Sequence, residues 1–343
     1  MQHINIVLIG FGNVGQALAR LLLAKREQLQ ASHGLSFQVN GICTGRHGAA
    51  IDPGGLDLAR ALELTQAQRS LNELSVQPAP SDVLAFIQAC PADVLFENTP
   101  VNHHTGQPAI SYLRAALENG MHAVTANKGP VVHGYRELSR LAAAQGKRFL
   151  FESAVMDGAP IFSLFRGPLP AAELLGFHGI LNSTTNLILD LMEQGKAFDD
   201  AVDVAQRMGL AETDPSHDID GWDAAIKVAA LATVLMDADL TPQQVQRTGI
   251  RAISPEMIAT ARANGERWKL VCSARRVDGQ VVGEVAPRRV GPNSPLFAIN
   301  TSSSYVEFEL DVLPGLGIVE SRPTPATTAY GLLADLINAQ RGD

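Results

Sequence analysis

Aromatic residues are scarce in this 343-residue chain, at 5%, and charged residues reach only 18%. Positive charge is in deficit: 27 Lys and Arg stand against 35 Asp and Glu, a net charge of −8. A nucleic-acid partner needs clustered positive charge, so that class is excluded. The longest nearly apolar run, Val228 to Met236, is far short of the roughly 20 residues of a membrane helix. The start, Met1-Gln2-His3-Ile4, lacks the basic region and cleavage site of a secretory leader. Three cysteines (Cys43, Cys90 and Cys272) stand far apart without CxxC or metal-ligand spacing, which suits a reducing, cytoplasmic setting. What the chain does have is aliphatic bulk. Hydrophobic residues make up 46%, enough for a large core, and the length suits two domains.

Ile4 to Ile9 is a β-branched apolar run, the pattern of a strand buried on both faces of a parallel sheet. It runs straight into Gly10-Phe11-Gly12-Asn13-Val14-Gly15 and then a helical pattern through Leu18, Leu21, Leu22 and Leu29. GxGxxG between strand and helix predicts dinucleotide binding. Gly10 makes the turn, Gly12 lets a pyrophosphate approach, and Gly15 lets helix and strand pack closely. The next strand, Phe37 to Cys43, ends at Thr44-Gly45-Arg46-His47-Gly48, where NAD-binding proteins usually present Asp or Glu to the adenosine ribose. A lone guanidinium there suits a 2′-phosphate, so NADP is expected over NAD.

Strands are expected over Asp93–Glu97, His122–Thr125 and Arg148–Glu152, with helices over Gln107–Glu118 and Arg136–Gln145. Thr99 and Pro100, and the loop Ala126-Asn127-Lys128-Gly129-Pro130, follow strand ends where ligands bind in such sheets. The expected fold is α/β: an N-terminal Rossmann-type doubly wound parallel sheet over residues 1–150, with a second α+β domain for substrate and dimerisation over 151–325. A final helix within 326–343 is expected to pack back on the first domain. In the second half, Leu174–Leu181 reads as a strand, Thr185–Gln194 as a helix, and Asp199–Met208 as a helix capped at Gly209.

The densest polar segment runs from Glu212 through Asp214, Asp218, Asp220 and Asp223 to Lys227. Asp223 and Lys227 are four apart and share a helix face. An exposed salt bridge would explain them, but the helix that follows is apolar on nearly every side through Met236. That sets Lys227 in or beside the interior, where lysines are rare unless paired or functional. Desolvation lowers a lysine pKa toward proton-transfer values, while neighbouring carboxylates oppose it.

With these segments in hand, the sequence resembles homoserine dehydrogenase over nearly its whole length. The resemblance is carried by Gly10–Gly15, Thr99-Pro100-Val101-Asn102, Val124–Pro130, Gly179-Ile180-Leu181-Asn182-Ser183-Thr184-Thr185-Asn186, and Glu212–Lys227. That family reversibly converts L-homoserine to L-aspartate 4-semialdehyde with NAD(P), on the way to threonine, methionine and isoleucine. The resemblance implies that Lys227 is the general acid/base and that Lys128 lies near the reacting oxygen and the nicotinamide. It implies that Glu212 and Asp223 hold the ammonium and hydroxyl, with Asp218 nearby and Thr184 orienting the substrate. It places Gly209 and Glu212 against the cofactor. It further implies a homodimer and a monovalent cation, usually sodium in the family, held by Glu152 with main-chain oxygens of Val155, Asp157 and Ala159.

Three departures from the family pattern stand out. Met156 and Asp157 replace a glycine run beside the cation turn, Ser183 replaces a frequent glycine in the substrate pocket, and Glu320 enters a usually Gly-rich turn facing the cofactor. The chain also ends soon after the last family helix, so a feedback domain is not expected. Rival readings are a silent NADP-binding sensor and a dehydrogenase for a related small hydroxy amino acid. A thioester-forming aldehyde dehydrogenase would need an activated cysteine, and none of the three has such a setting.

Overall fold

The N-terminal apolar run forms strand β1 (Gln2–Ile9), buried along its last four residues. Gly10 turns the chain into α1 (Asn13–His33), followed by β2 (Leu35–Cys43), the short β3 (Ala49–Ile51), α2 (Leu58–Gln66) and α3 (Val83–Ala89). Then come β4 (Val94–Glu97), α4 (Ala109–Glu118), β5 (His122–Thr125), α5 (Lys128–His133), α6 (Tyr135–Ala144), β6 (Phe149–Leu150) and α7 (Ser153–Met156). The strands form one sheet in the order β3-β2-β1-β4-β5-β6. All neighbours are parallel except β3, which runs antiparallel to β2. Strand order reverses between β1 and β4, the switch point where doubly wound sheets bind ligands.

Two glycines are fixed by that crevice. Gly10 has φ +91°, and a Cβ on it would stand 2.5 Å from the carbonyl oxygen of Asn98, at the end of β4. A Cβ on Gly15 would meet the Gly10 carbonyl at 2.5 Å, which is what lets α1 lie close against β1.

The second unit opens with α8 (Phe162–Arg166) and β7 (Leu174–Ile180), then the helices α9 (Ser183–Glu193), α10 (Phe198–Arg207), α11 (Ser216–Ile219) and α12 (Trp222–Leu235). It continues with β8 (Gln246–Arg247), α13 (Pro255–Ala263), the long hairpin β9 (Arg267–Val277) and β10 (Gln280–Val290), then β11 (Ser304–Leu310) and β12 (Leu316–Glu320). Its sheet runs β12-β11-β7-β9-β10-β8, antiparallel except where β8 joins β10. Against this sheet lies α12, with Ala224, Ile226, Val228, Ala230 and Leu231 all fully buried.

The last helix, α14 (Pro325–Gln340), belongs to the first unit, where Leu332, Leu333 and Leu336 join the core of β1 and α1. The computed structural model describes residues 2–341. Its two units are Met1–Pro160 with Thr324–Asp343, and Ile161–Pro323. The division thus falls ten residues later than the expected one at 150. The strand expected over Arg148–Glu152 is only Phe149–Leu150, because the next residues are fastened to α14 instead. Glu152 N–H donates to Asp335 Oδ2 at 2.7 Å, and Ser153 Oγ donates to the Thr328 carbonyl at 2.7 Å. No helix among the described residues is long and apolar enough to cross a membrane.

Because Gly10 combines a positive φ with backbone contact, Gly10→Ala is expected to cost about 2 kcal/mol. Calorimetry should show the unfolding midpoint falling by about 4–8 °C; an unchanged midpoint would mean the turn has room for a side chain.

Candidate active site

In the first unit, the segment Gly10–Gly15 forms the turn and the start of α1. Phe11 is buried, Gly12 and Asn13 are exposed, and Val14 is half-buried. Gly12 caps the helix with no side chain, and a Cβ there would meet nothing within 4 Å. The first turn of α1 has no acidic residue, so its main-chain N–H groups and the positive end of the helix dipole face open space suited to a phosphate. Arg46 sits exposed at the tip of the β2–β3 loop, whose shape is set by Thr44 N–H to the Gly48 carbonyl (2.9 Å) and His47 N–H to Thr44 Oγ1 (2.7 Å).

Beside this cradle, β4 and β5 end in a closed ring of hydrogen bonds. Glu97, fully buried, accepts from Thr99 N–H at 2.7 Å, from the Thr99 hydroxyl, and from Thr125 Oγ1 at 2.7 Å. Thr125 Oγ1 in turn accepts from Asn127 N–H (2.9 Å), and Asn127 Nδ2 donates to the Thr99 carbonyl (3.3 Å). Asn127 Oδ1 caps α5 through Gly129 N–H. Thr99, exposed Pro100 and half-buried Lys128, the first residue of α5, are thereby held as one piece. Burial raises the Glu97 pKa, with the surrounding donors opposing it. Glu97 went unnoticed in the sequence because it reads there only as the last residue of a strand.

In the second unit, Lys227 and Asp223 share one face of α12 with Nζ···Oδ2 at 3.2 Å, their side chains 14% and 17% exposed. Lys227 Nζ also donates to the Leu181 carbonyl at the end of β7, at 2.6 Å. Asn182, 3% exposed, donates through Nδ2 to Asp218 Oδ1 (2.6 Å) and to Asp223 Oδ2 (3.0 Å). Burial, with the Asp223 carboxylate beside it, pushes the Asp218 pKa up to about 6. Thr184 donates its hydroxyl to the Leu210 carbonyl at 2.8 Å, next to Gly209, which is exposed with φ +72°. Ser183 Oγ lies 3.3 Å from Ser304 Oγ, and Ser304 pairs across the sheet with Glu320, which is buried at the end of β12.

So Asp218, Asp223 and Lys227 come together, and Ser183 meets the strand edge that carries Glu320. Glu212 is different: it is exposed, and among the described residues its carboxylate joins no hydrogen bond of this cluster. The sequence reading missed Asn182. Asn before a helix is a capping signal, which could have flagged the residue but not the acids 36 and 41 positions away.

The turn expected to hold a cation offers a different chemistry. Glu152 is buried, and Val155 lies in α7. Asp157 has φ +41°, with its carboxylate accepting from the hydroxyls of Thr327 (2.9 Å) and Thr328 (3.0 Å). Ala159 N–H closes the turn onto the Met156 carbonyl. Among the described residues no group of three or more His, Cys, Asp or Glu side chains is gathered that could hold a metal ion. Any ion here would rest on Glu152 and carbonyl oxygens.

Comparison with known proteins gives one answer across both units. The sequence profile described as "Homoserine dehydrogenase, NAD binding domain" matches residues 10–152, and that described as "Homoserine dehydrogenase" matches residues 160–337. An NAD(+)-dependent homoserine dehydrogenase from Pseudomonas canavaninivorans is 36% identical over 339 residues, covering 98% of this chain and 96% of that protein. A homoserine dehydrogenase from Methanocaldococcus jannaschii is also 36% identical, covering 97% of this chain and 98% of that protein. The crystal structure of the Thermoplasma acidophilum homoserine dehydrogenase superposes with a TM-score of 0.83 at 25% identity, covering 98% of this chain and 99% of that one.

Asp218 carries a testable cost. Its folded pKa is raised from 3.8 to about 6, so its contribution to stability is fully present below 3.8 and is lost as pH rises through 6. Asp218→Asn is therefore expected to raise the unfolding midpoint by a few degrees at pH 7, and the gain should vanish near pH 4. A midpoint difference independent of pH would show that the carboxylate is not strained by its surroundings.

Proposed function

The chain belongs to the homoserine dehydrogenase family, and we propose that it reversibly oxidises L-homoserine to L-aspartate 4-semialdehyde, with the first unit holding the dinucleotide and the second the substrate. The observation that carries this reading is the Lys227 ammonium, placed between a main-chain carbonyl and the Asp218–Asn182–Asp223 cluster. When bound, the nicotinamide dinucleotide supplies the two-electron acceptor for the alcohol carbon. In the oxidation Lys227 acts from its neutral amine form, taking the hydroxyl proton to become the ammonium; in the reverse direction the ammonium gives that proton to the carbonyl oxygen. The Leu181 carbonyl and Asp223 anchor its Nζ so that the proton is exchanged at one defined place.

Glu212 and Asp223 hold the substrate's ammonium and hydroxyl, with Asp218 beside Asp223, and Thr184, pinned by the Leu210 carbonyl, orients the substrate from the start of α9. Ser183 lines the same pocket. Glu212 and Gly209 are assigned to substrate and cofactor from the exposed segment after α10, and Glu320 to the cofactor from β12. In the first unit, Gly10, Phe11, Gly12, Asn13, Val14 and Gly15 cradle the pyrophosphate, while Thr99 and Pro100 meet the nicotinamide end. Lys128, held through the Glu97 ring, stabilises negative charge on the reacting oxygen. The Glu152 carboxylate with the Val155, Asp157 and Ala159 carbonyls would hold a monovalent cation, an all-oxygen set that suits a hard ion. That ion enters no step of the reaction.

Arg46 supports NADP as the preferred cofactor: it is exposed at the end of β2 with no carboxylate in its loop to bind a ribose diol. NAD is the second reading, favoured by the relative named for NAD(+) dependence. Three free cysteines, all buried, accord with a cytoplasmic site of action, and a homodimer is part of the same reading.

Absorbance at 340 nm with L-homoserine and either cofactor tests all of this together. Turnover should be faster with NADP, and Lys227→Ala should lower kcat by at least about 100-fold. Binding of NADPH to that variant should stay within a few-fold of the parent. Arg46→Ala should lower kcat/KM for NADP by about tenfold and leave that for NAD unchanged. Cofactor binding without turnover would sink the dehydrogenase reading in favour of a silent sensor, and NAD dominance would overturn the assignment of Arg46.

A further inference from the structure

Two carboxylates brought into one part-buried site repel each other unless something holds them there. Here the holding group is a single amide. Asn182 stands between β7 and α9, and its Oδ1 is fully committed: it accepts from Thr185 N–H at 2.8 Å and from Thr185 Oγ1 at 2.8 Å, capping α9. That commitment decides which way the amide faces. With the oxygen turned into the helix, Nδ2 must turn outward, and its two N–H groups go to Asp218 at 2.6 Å and Asp223 at 3.0 Å.

We propose that Asn182 is a positioning residue whose locked amide holds Asp218 and Asp223 side by side, so that the pair receives the cationic end of the substrate as one unit. This rests on the reading of the site given above. The groups facing the pair are Lys227 from α12, 3.2 Å from Asp223, the Thr184 hydroxyl from α9, and Cys272 from β9. The thiol is neutral, since burial pushes its pKa up to about 12. Lys227 is therefore the one cation among these groups, and it leans on Asp223. Asp218 takes its strongest offsetting contact from the amide, and loss of those N–H donors leaves it facing Asp223 with only the Lys227 charge and the Thr184 hydroxyl to oppose the repulsion. The helix cap and the acid pair are thus two ends of the same side chain, and changing one end without the other separates structure from positioning.

Asn182→Asp and Asn182→Ser both retain a good capping oxygen and remove the donors; the first also adds a third carboxylate. Both variants are expected to fold and to bind NADPH within about threefold of the parent. For L-homoserine at saturating cofactor, kcat/KM should fall at least tenfold, through KM more than kcat. The acid limb of the pH profile should move upward from about pH 6, further in Asn182→Asp than in Asn182→Ser. A readout that needs no turnover runs beside it: the pH at which the unfolding midpoint responds to Asp218 should shift upward in the same order. Unchanged kcat/KM and an unmoved pH response in both variants would overturn the proposal, as would a loss confined to the unfolding midpoint. A parent protein that binds NADPH, shows the pH response, and does not oxidise homoserine would instead overturn the substrate reading and leave the positioning role standing.

Discussion

A lysine set into a helix that is otherwise apolar must be given polar partners, and much of the second unit is arranged to give them. Lys227 emerges from α12 among fully buried alanines, valine and leucine. It reaches the Leu181 carbonyl because β7 ends beside α12, and it reaches Asp223 because the two are one helical turn apart. Everything else in the cluster follows from keeping that cation company. Asp223 needs a second donor, Asn182 supplies it, and the same amide brings in Asp218. The raised pKa of Asp218 is the energetic signature of the crowding. A protein selected for stability alone would have no reason to keep a carboxylate there.

The first unit solves a related problem with the opposite sign. Glu97 is a fully buried acid, and every donor it is shown to receive is neutral: the main chain and hydroxyl of Thr99 and the hydroxyl of Thr125. The ring it closes joins the loops after β4 and β5, so Thr99 and Lys128 are set by the sheet rather than by flexible chain. The glycines of the first turn complete the arrangement from β1, where Gly10 and Asn98 are in backbone contact across the switch point.

Two departures from the family pattern acquire a structural setting. Ser183 does not project alone into a pocket, since its hydroxyl lies against Ser304. Ser304 is paired with Glu320, so the changes noted at opposite ends of the sequence meet on one strand edge. Asp157, in a turn where the family favours glycine, adopts a positive φ and uses its carboxylate to bind Thr327 and Thr328. The side chain that restricts the turn also fastens it to α14.

The parallel sheet and its phosphate turn were legible in the sequence because their signals are local: a β-branched run, GxGxxG and an apolar helix stripe lie within about thirty residues of one another. The buried setting of Lys227 was legible for the same reason, since a helical wheel needs only neighbours along the chain. Of the β9–β10 hairpin only Val281–Val285 alternates like a strand in the sequence, because strands rich in Arg, Lys and Ser on one face do not alternate cleanly until the partner strand is known. Nor could local pattern find the residues that act across distance. Asn182 touches acids 36 and 41 positions away, Glu97 joins two loops, and Asp335 of α14 holds residues beyond position 150 to the first unit. Periodicity reports which face of an element is buried. Which buried amide meets which carboxylate is decided only when distant segments pack, and that the tertiary structure alone determined.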